Sequence, residues 1–278
     1  MKNLIQRVIT GIVFGVVLIG SIICSPFSFG LLFCLISAMA TAEFCNLMNR
    51  QEGIEINRNL CVLGSTILFL CFFYYGIYPV QTGIFSIYLV VLIYLMIREL
   101  YLKKDNPLNN WAYAMLSQIY VGLPFALLNV LAFQDNGAYS APQYLFIMPL
   151  SIFIFIWMND TFAYFTGMLL GKHRLFERIS PKKSWEGSIG GGVFCIGAAF
   201  VLAHFFPIMS TGLWVGLALV VVVFGTWGDL TESLMKRFLG IKDSGNILPG
   251  HGGLLDRFDS AIMAIPAAVF YLYIVSLF

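Results

Sequence analysis

Long apolar runs, separated by short polar breaks, dominate the chain. They lie at 8–24, 29–48, 60–77, 81–97, 111–133, 143–171, 188–206, 211–229 and 260–277. Crossing the hydrocarbon of a bilayer as a helix takes about 20 apolar residues. The pattern therefore predicts an all-α polytopic integral membrane protein with about nine transmembrane helices. The sixth run is too long for one simple crossing and contains Asn159, Asp160 and Thr161. It predicts a kink, a break, or emergence from the bilayer at its end. The first run follows Lys2 and Arg7 but exceeds a signal-peptide core and lacks a small-residue cleavage site, so it reads as a permanent span. Five spans occupy an N-terminal region, 1–142. Four occupy a C-terminal region, 143–278, with polar loops at 172–187 and 230–259. There is no clear repeat and no hydrophilic domain.

Composition narrows the class. Apolar residues make up 59% of the 278 and charged residues 11%, with a mean hydropathy of +0.86. Ordinary soluble domains carry roughly 25% charged residues, so a soluble globular enzyme is excluded. So are a disordered chain and a basic nucleic-acid-binding protein; a net charge of +2 draws in no polyanion. All sixteen Lys and Arg residues fall in alternate breaks, and the breaks near 25–28, 78–80, 134–142 and 207–210 hold none. By the positive-inside rule the N-terminus is cytoplasmic and the C-terminus outside, with both polar loops on the cytoplasmic side. The six cysteines form no CxxC pair, so they read as small packing residues.

Acids at membrane depth are costly unless paired or wet. Glu43 reads as an interfacial residue turned to water. Asp229, Glu232, Ser233 and Lys236 repeat at i, i+3, i+4 and i+7, drawing a polar stripe down the end of the eighth span. The stretch from Ser233 to Asp259 then holds Lys236, Arg237, Lys242, Asp243, a Gly-His-Gly-Gly turn at 250–253, Asp256, Arg257 and Asp259. Glycines let backbone N–H groups close on an anion. Asp256 and Asp259 fall on one helical face, and hard carboxylates without imidazole or thiol partners suit Mg²⁺ shared with phosphates. The loop 172–187, with five basic and two acidic residues, supplies positive charge for a metal-bound polyphosphate. Two decoys are set aside. Gly167 to His173 is one residue short of a Walker A loop and lacks its Ser/Thr, and no strand precedes Gly187–Gly192 to make a dinucleotide fingerprint. Small residues at 187–192 instead suit close helix packing.

The spacing of Ser233, Lys236-Arg237, Lys242-Asp243, His251-Gly252-Gly253 and Asp256-Arg257-Phe258-Asp259 closely resembles the signature of the phosphatidate cytidylyltransferase (CDP-diacylglycerol synthase) family. Asn159-Asp160-Thr161 and Ser180-Pro181-Lys182-Lys183-Ser184-Trp185-Glu186-Gly187 are similar to further blocks of that family, with Ser184 where Thr is about as frequent. The match covers roughly residues 155–260. The resemblance implies transfer of CMP from CTP to phosphatidic acid, with release of pyrophosphate, by a multi-pass inner-membrane homodimer whose active site faces the cytoplasm. It implies Mg²⁺, with K⁺ as a candidate second cation, held at Asp229 and Asp256, with Asp259 and Asp160 as weaker candidates. On this reading Lys236, Arg237, Lys242 and Arg257 clamp phosphates, beside Asp243. His251, Gly252 and Gly253 shape the phosphate-facing turn. Lys182 and Lys183 receive the nucleotide or lipid phosphate, among Asn159, Ser180, Ser184 and Glu186. The sequence also admits two rival readings. One is an ion-coupled transporter with a relay through Glu43, Asp160 and Asp229. The other is a related transferase acting on an isoprenoid phosphate.

Overall fold

The computed structural model describes residues 2–134, 142–245 and 252–276. Four helices open the chain: α1 (Lys2–Cys24), α2 (Pro26–Met48), α3 (Arg58–Ile77) and α4 (Phe85–Tyr101). Then α5 (Pro107–Leu116) runs into α6 (Leu123–Ala132) through a π-helical stretch at Ser117–Gly122. A short ribbon pairs β1 (Phe133–Gln134) with β2 (Gln143–Tyr144) and leads into α7 (Ile147–Leu170). The hairpin of β3 (Arg174–Phe176) and β4 (Ser180–Ser184) precedes α8 (Trp185–Phe205), α9 (Thr211–Phe238) and α10 (Leu255–Val275).

Among the described residues, 8 helical segments are long and apolar enough to cross a membrane, and Ile9–Cys24 adds a shorter apolar helix. Each apolar run of the sequence falls on one of these segments, as an all-α polytopic protein requires. Two ends differ from expectation. The sixth run does not break at Asn159–Thr161: α7 is continuous over 24 residues, about 36 Å long. That exceeds a hydrocarbon core of about 30 Å, a mismatch that tilt or emergence at one end relieves in spanning helices generally. The eighth run extends beyond 229 because its polar stripe completes itself along the helix. Ser233 Oγ donates to Asp229 Oδ1 at 3.1 Å, and Lys236 pairs with Glu232 one turn back. Gly240, at φ +66°, takes the left-handed position that ends α9. The polar loop expected at 230–259 is thereby shortened at both ends.

The chain divides into two compact units. The first comprises Met1–Phe146 and Ile241–Arg257, the second Ile147–Gly240 and Phe258–Phe278. The segment 241–257, however, belongs to the first unit and not to the C-terminal region.

In the first unit Ser25 and Asn57 cap α2 and α3, each accepting from a backbone N–H at 3.0 Å. Phe29, Phe33, Phe44, Phe69 and Phe125 are fully buried. In the second unit α7 packs on α8 through glycines. A methyl on Gly190 would strike Thr166, and one on Gly191 would come within 2.9 Å of the Asn159 carbonyl oxygen. Small residues at 187–192 thus serve close packing, as their composition suggested. Gly228 of α9 likewise lies against the Asp259 carbonyl oxygen. Gly191→Val should therefore destabilise the fold by about 1–3 kcal/mol. It should lower the unfolding temperature of the detergent-solubilised protein; an unchanged midpoint would disprove the tight α7–α8 contact.

Candidate active site

The second unit holds a cleft of ≈ 580 Å³, within the usual range for small-molecule sites. One face of α7 forms its first wall: Asn159 and Asp160, then Ala163 and Tyr164, Gly167 and Gly171, at helical spacing. The hairpin contributes Arg174, Lys182, Lys183 and Ser184, α8 adds Gly187 and Ser188 of its first turn, and α9 closes it with Thr226 and Asp229.

Local chemistry fixes this wall. Ser184 caps α8, its Oγ accepting from Gly187 N–H at 3.1 Å. Glu186, in the first turn, accepts from the N–H groups of Lys172 (3.1 Å) and His173 (3.2 Å) and meets His173 Nδ1 at 2.6 Å. A carboxylate there suits the positive end of a helix, and it ties the α7 exit to the hairpin. Gly167 and Gly171 leave room for Ser184, since a methyl at Gly171 would lie 2.8 Å from its Oγ.

Charge concentrates on one side of the cleft. Lys183 forms an ion pair with Asp229, whose side chain is 26% exposed. Asp160 and Asp259 both lie within electrostatic reach of Asp229, with Lys183 near Asp160 and Lys236 near Asp259. Three clustered carboxylates repel one another and favour cations. Among the described residues, neither thiol nor imidazole lines the cleft. Among the described residues, no group of three or more His, Cys, Asp or Glu side chains could hold a metal unaided. Carboxylate oxygens with open positions suit Mg²⁺ completed by phosphate and water.

The first unit carries the rest of the polar stretch. Asp256 Oδ2 accepts from Ser244 N–H (2.8 Å), Ser244 Oγ–H (2.9 Å) and Gly253 N–H (2.8 Å). Gly252 adopts φ +80°, and a methyl there would lie 2.7 Å from Asp256 Oδ2. Only glycine serves both demands.

A family model described as the cytidylyltransferase family matches residues 5–275. The chain belongs to the cytidylyltransferase family. Curated relatives include proteins named phosphatidate cytidylyltransferase. One from Staphylococcus aureus is 40% identical over 157 residues, 56% of either chain. One from Staphylococcus haemolyticus is 36% identical over 181 residues, 64% of this chain and 65% of the relative. One from Staphylococcus epidermidis is 36% identical over 186 residues, 66% of each. The chain thus spans between about half and two thirds of the length of the relatives it matches.

The residues named from sequence fall into three places. Asn159, Asp160, Lys182, Lys183, Ser184 and Asp229 line the cleft. Asp259 neighbours Asp229, Lys236 pairs with buried Glu232, Arg237 is exposed on α9, and Ser180 and Glu186 belong to the hairpin and to the α8 start. Lys242, Asp243, Gly252, Gly253, Asp256 and Arg257 belong to the first unit, with Lys242, Asp243 and Arg257 exposed. His251 lies outside the described residues. Sequence reasoning singled out neither Arg174 nor Thr226 of the cleft, although Arg174 stood in the basic loop. It also misread Glu43, which is 5% exposed and hydrogen-bonds to the polar segment, not to water.

Proposed function

We propose that this cytidylyltransferase-family protein transfers CMP from CTP to phosphatidate, giving CDP-diacylglycerol and pyrophosphate. The carrying observation is the Lys183–Asp229 ion pair inside a cleft that also presents Asp160, Arg174 and Lys182. Carboxylates for a cation and ammonium or guanidinium groups for phosphates are what two mutually repelling anionic substrates require. The basic residues clustered in alternate breaks support a cytoplasmic face for this chemistry in the inner membrane, where CTP arrives from water and phosphatidate stays in the leaflet.

In the proposed reaction a phosphate oxygen of phosphatidate attacks the α-phosphorus of CTP. A new P–O bond forms, the bond from the α-phosphorus to the α,β-bridging oxygen breaks, and pyrophosphate leaves with that electron pair. The lipid phosphate is already a nucleophile, so no covalent intermediate on the protein is needed. Lys183 exchanges Asp229 for an incoming phosphate oxygen, and Lys182 and Arg174 hold the rest of the triphosphate in line. Mg²⁺, with K⁺ as the candidate second cation, would supply charge neutralisation for the triphosphate; Asp229 is the proposed cation ligand of the second unit and Asp256 that of the first. Lys236, Arg237, Lys242 and Arg257 add phosphate contacts, and a homodimer is the proposed assembly.

Purified protein in lipid nanodiscs, given α-labelled CTP, Mg²⁺ and either phosphatidate or an isoprenoid phosphate, tests the proposal. Label should enter diacyl lipid alone. Absence of CTP-dependent lipid product, or label entering the isoprenoid instead, would refute it.

A further inference from the structure

Glu43 lies within α2, far in sequence from the polar segment 241–257, yet both belong to the first unit. Its Oε2 accepts from Leu255 N–H, the first residue of α10, at 2.8 Å. Its Oε1 packs against Gly245 and Gly253, and a methyl at either glycine would overlap it. The methyl at Gly253 would also overlap Ser244 Oγ. Ser244 and Gly253 are the residues whose donors hold Asp256 Oδ2. One carboxylate therefore fastens the start of α10 and fills the space between the two strands of chain that cradle Asp256. A buried acid in an apolar helix is costly without such partners. Water has little access to it.

We propose that Glu43 is a positioning residue that sets the geometry of Asp256 through the Leu255 amide and the Gly245–Gly253 contact. The inference rests on the functional reading above, in which Asp256 serves nucleotidyl transfer. Glu43 itself touches no substrate. Its reach and its acceptor oxygen do the work: a side chain shorter by one methylene cannot span from α2 to Leu255, whereas an amide of equal length keeps the acceptor.

The test pairs activity with hydrogen exchange on the full-length protein in nanodiscs, for wild type, Glu43→Ala, Glu43→Asp and Glu43→Gln. Glu43→Ala and Glu43→Asp should each lower kcat about 10- to 100-fold, the loss expected for one charged hydrogen bond. Their KM for CTP should stay within about 3-fold, since the positioned group is not the nucleotide contact. Exchange at peptides spanning 254–258 should accelerate by a similar factor, while peptides of α3 and α7 keep wild-type protection. Glu43→Gln should restore both kcat and protection to near wild type. Should Glu43→Ala fail to insert, the Asp and Gln variants decide the matter. Asp and Gln variants that behave alike, or an Asp variant that outperforms Gln, would overturn the proposal. So would wild-type protection at 254–258 in both Ala and Asp variants. If the wild-type protein forms no CTP-dependent lipid, the functional reading fails, while the exchange pattern still decides whether Glu43 positions the segment.

Discussion

Asp256→Asn is expected to lower CDP-diacylglycerol formation about 100- to 1,000-fold, the scale for losing one preorganised electrostatic group, with folding and membrane insertion retained. The hydrogen bonds explain why the two effects separate. Three donors converge on Oδ2, two of them backbone N–H groups. An asparagine carbonyl can take the same position and accept from all three, so Ser244 and Gly253 keep their hydrogen bonds. What disappears is the negative charge. Asp256→Ala should differ, because it strands the donors of Ser244 and Gly253 at roughly 1–3 kcal/mol each. Assay of both variants at matched amounts of folded protein, with circular dichroism and size exclusion as controls, checks this. Near-normal turnover by Asp256→Asn would remove Asp256 from the chemistry.

Lys183→Ala is expected to cost a comparable factor in kcat/KM for CTP, about 100- to 1,000-fold. Lys183 neutralises Asp229 within the cleft. Its loss removes a phosphate donor and leaves Asp229 facing Asp160 and Asp259 with less compensation. Lys183→Arg keeps the charge but exchanges a compact ammonium for a planar fork, so partial activity is expected. Steady-state kinetics with CTP varied at saturating phosphatidate distinguish the cases. Equal kcat/KM for wild type and Lys183→Ala would exclude the residue from substrate binding.

Much of this molecule could be read along the chain. Among the described residues, eight of the nine apolar runs fall on helices long and apolar enough to cross a bilayer and the first on a shorter apolar helix, because a crossing demands about 20 residues. The i, i+3, i+4, i+7 spacing from Asp229 to Lys236 announced a helix, and the structure carries α9 through all of it. Glycines at 187–192 announced a close helix contact, now seen against α7. Other features depend on tertiary partners that no local pattern encodes. Glu186 looked like a substrate residue in a basic loop, yet its carboxylate binds the backbone of Lys172 and His173. Arg174 enters the cleft because β3 pairs with β4 and sets it opposite Ser184. Glu43 stood alone in an apolar helix, and only the fold shows that its partner is an amide more than 200 positions away. The single signal it gave was the cost of an acid at that depth.

The location of the nucleotide is open to one direct measurement. A photoreactive CTP analogue, irradiated on the folded protein with Mg²⁺ and competed with unlabelled CTP, marks the residues it occupies. Competable adducts should map to 159–188 and 226–229, the walls of the cleft in the second unit. Competable adducts confined to 26–132, with none in those stretches, would contradict a nucleotide site built around Lys183 and Asp229.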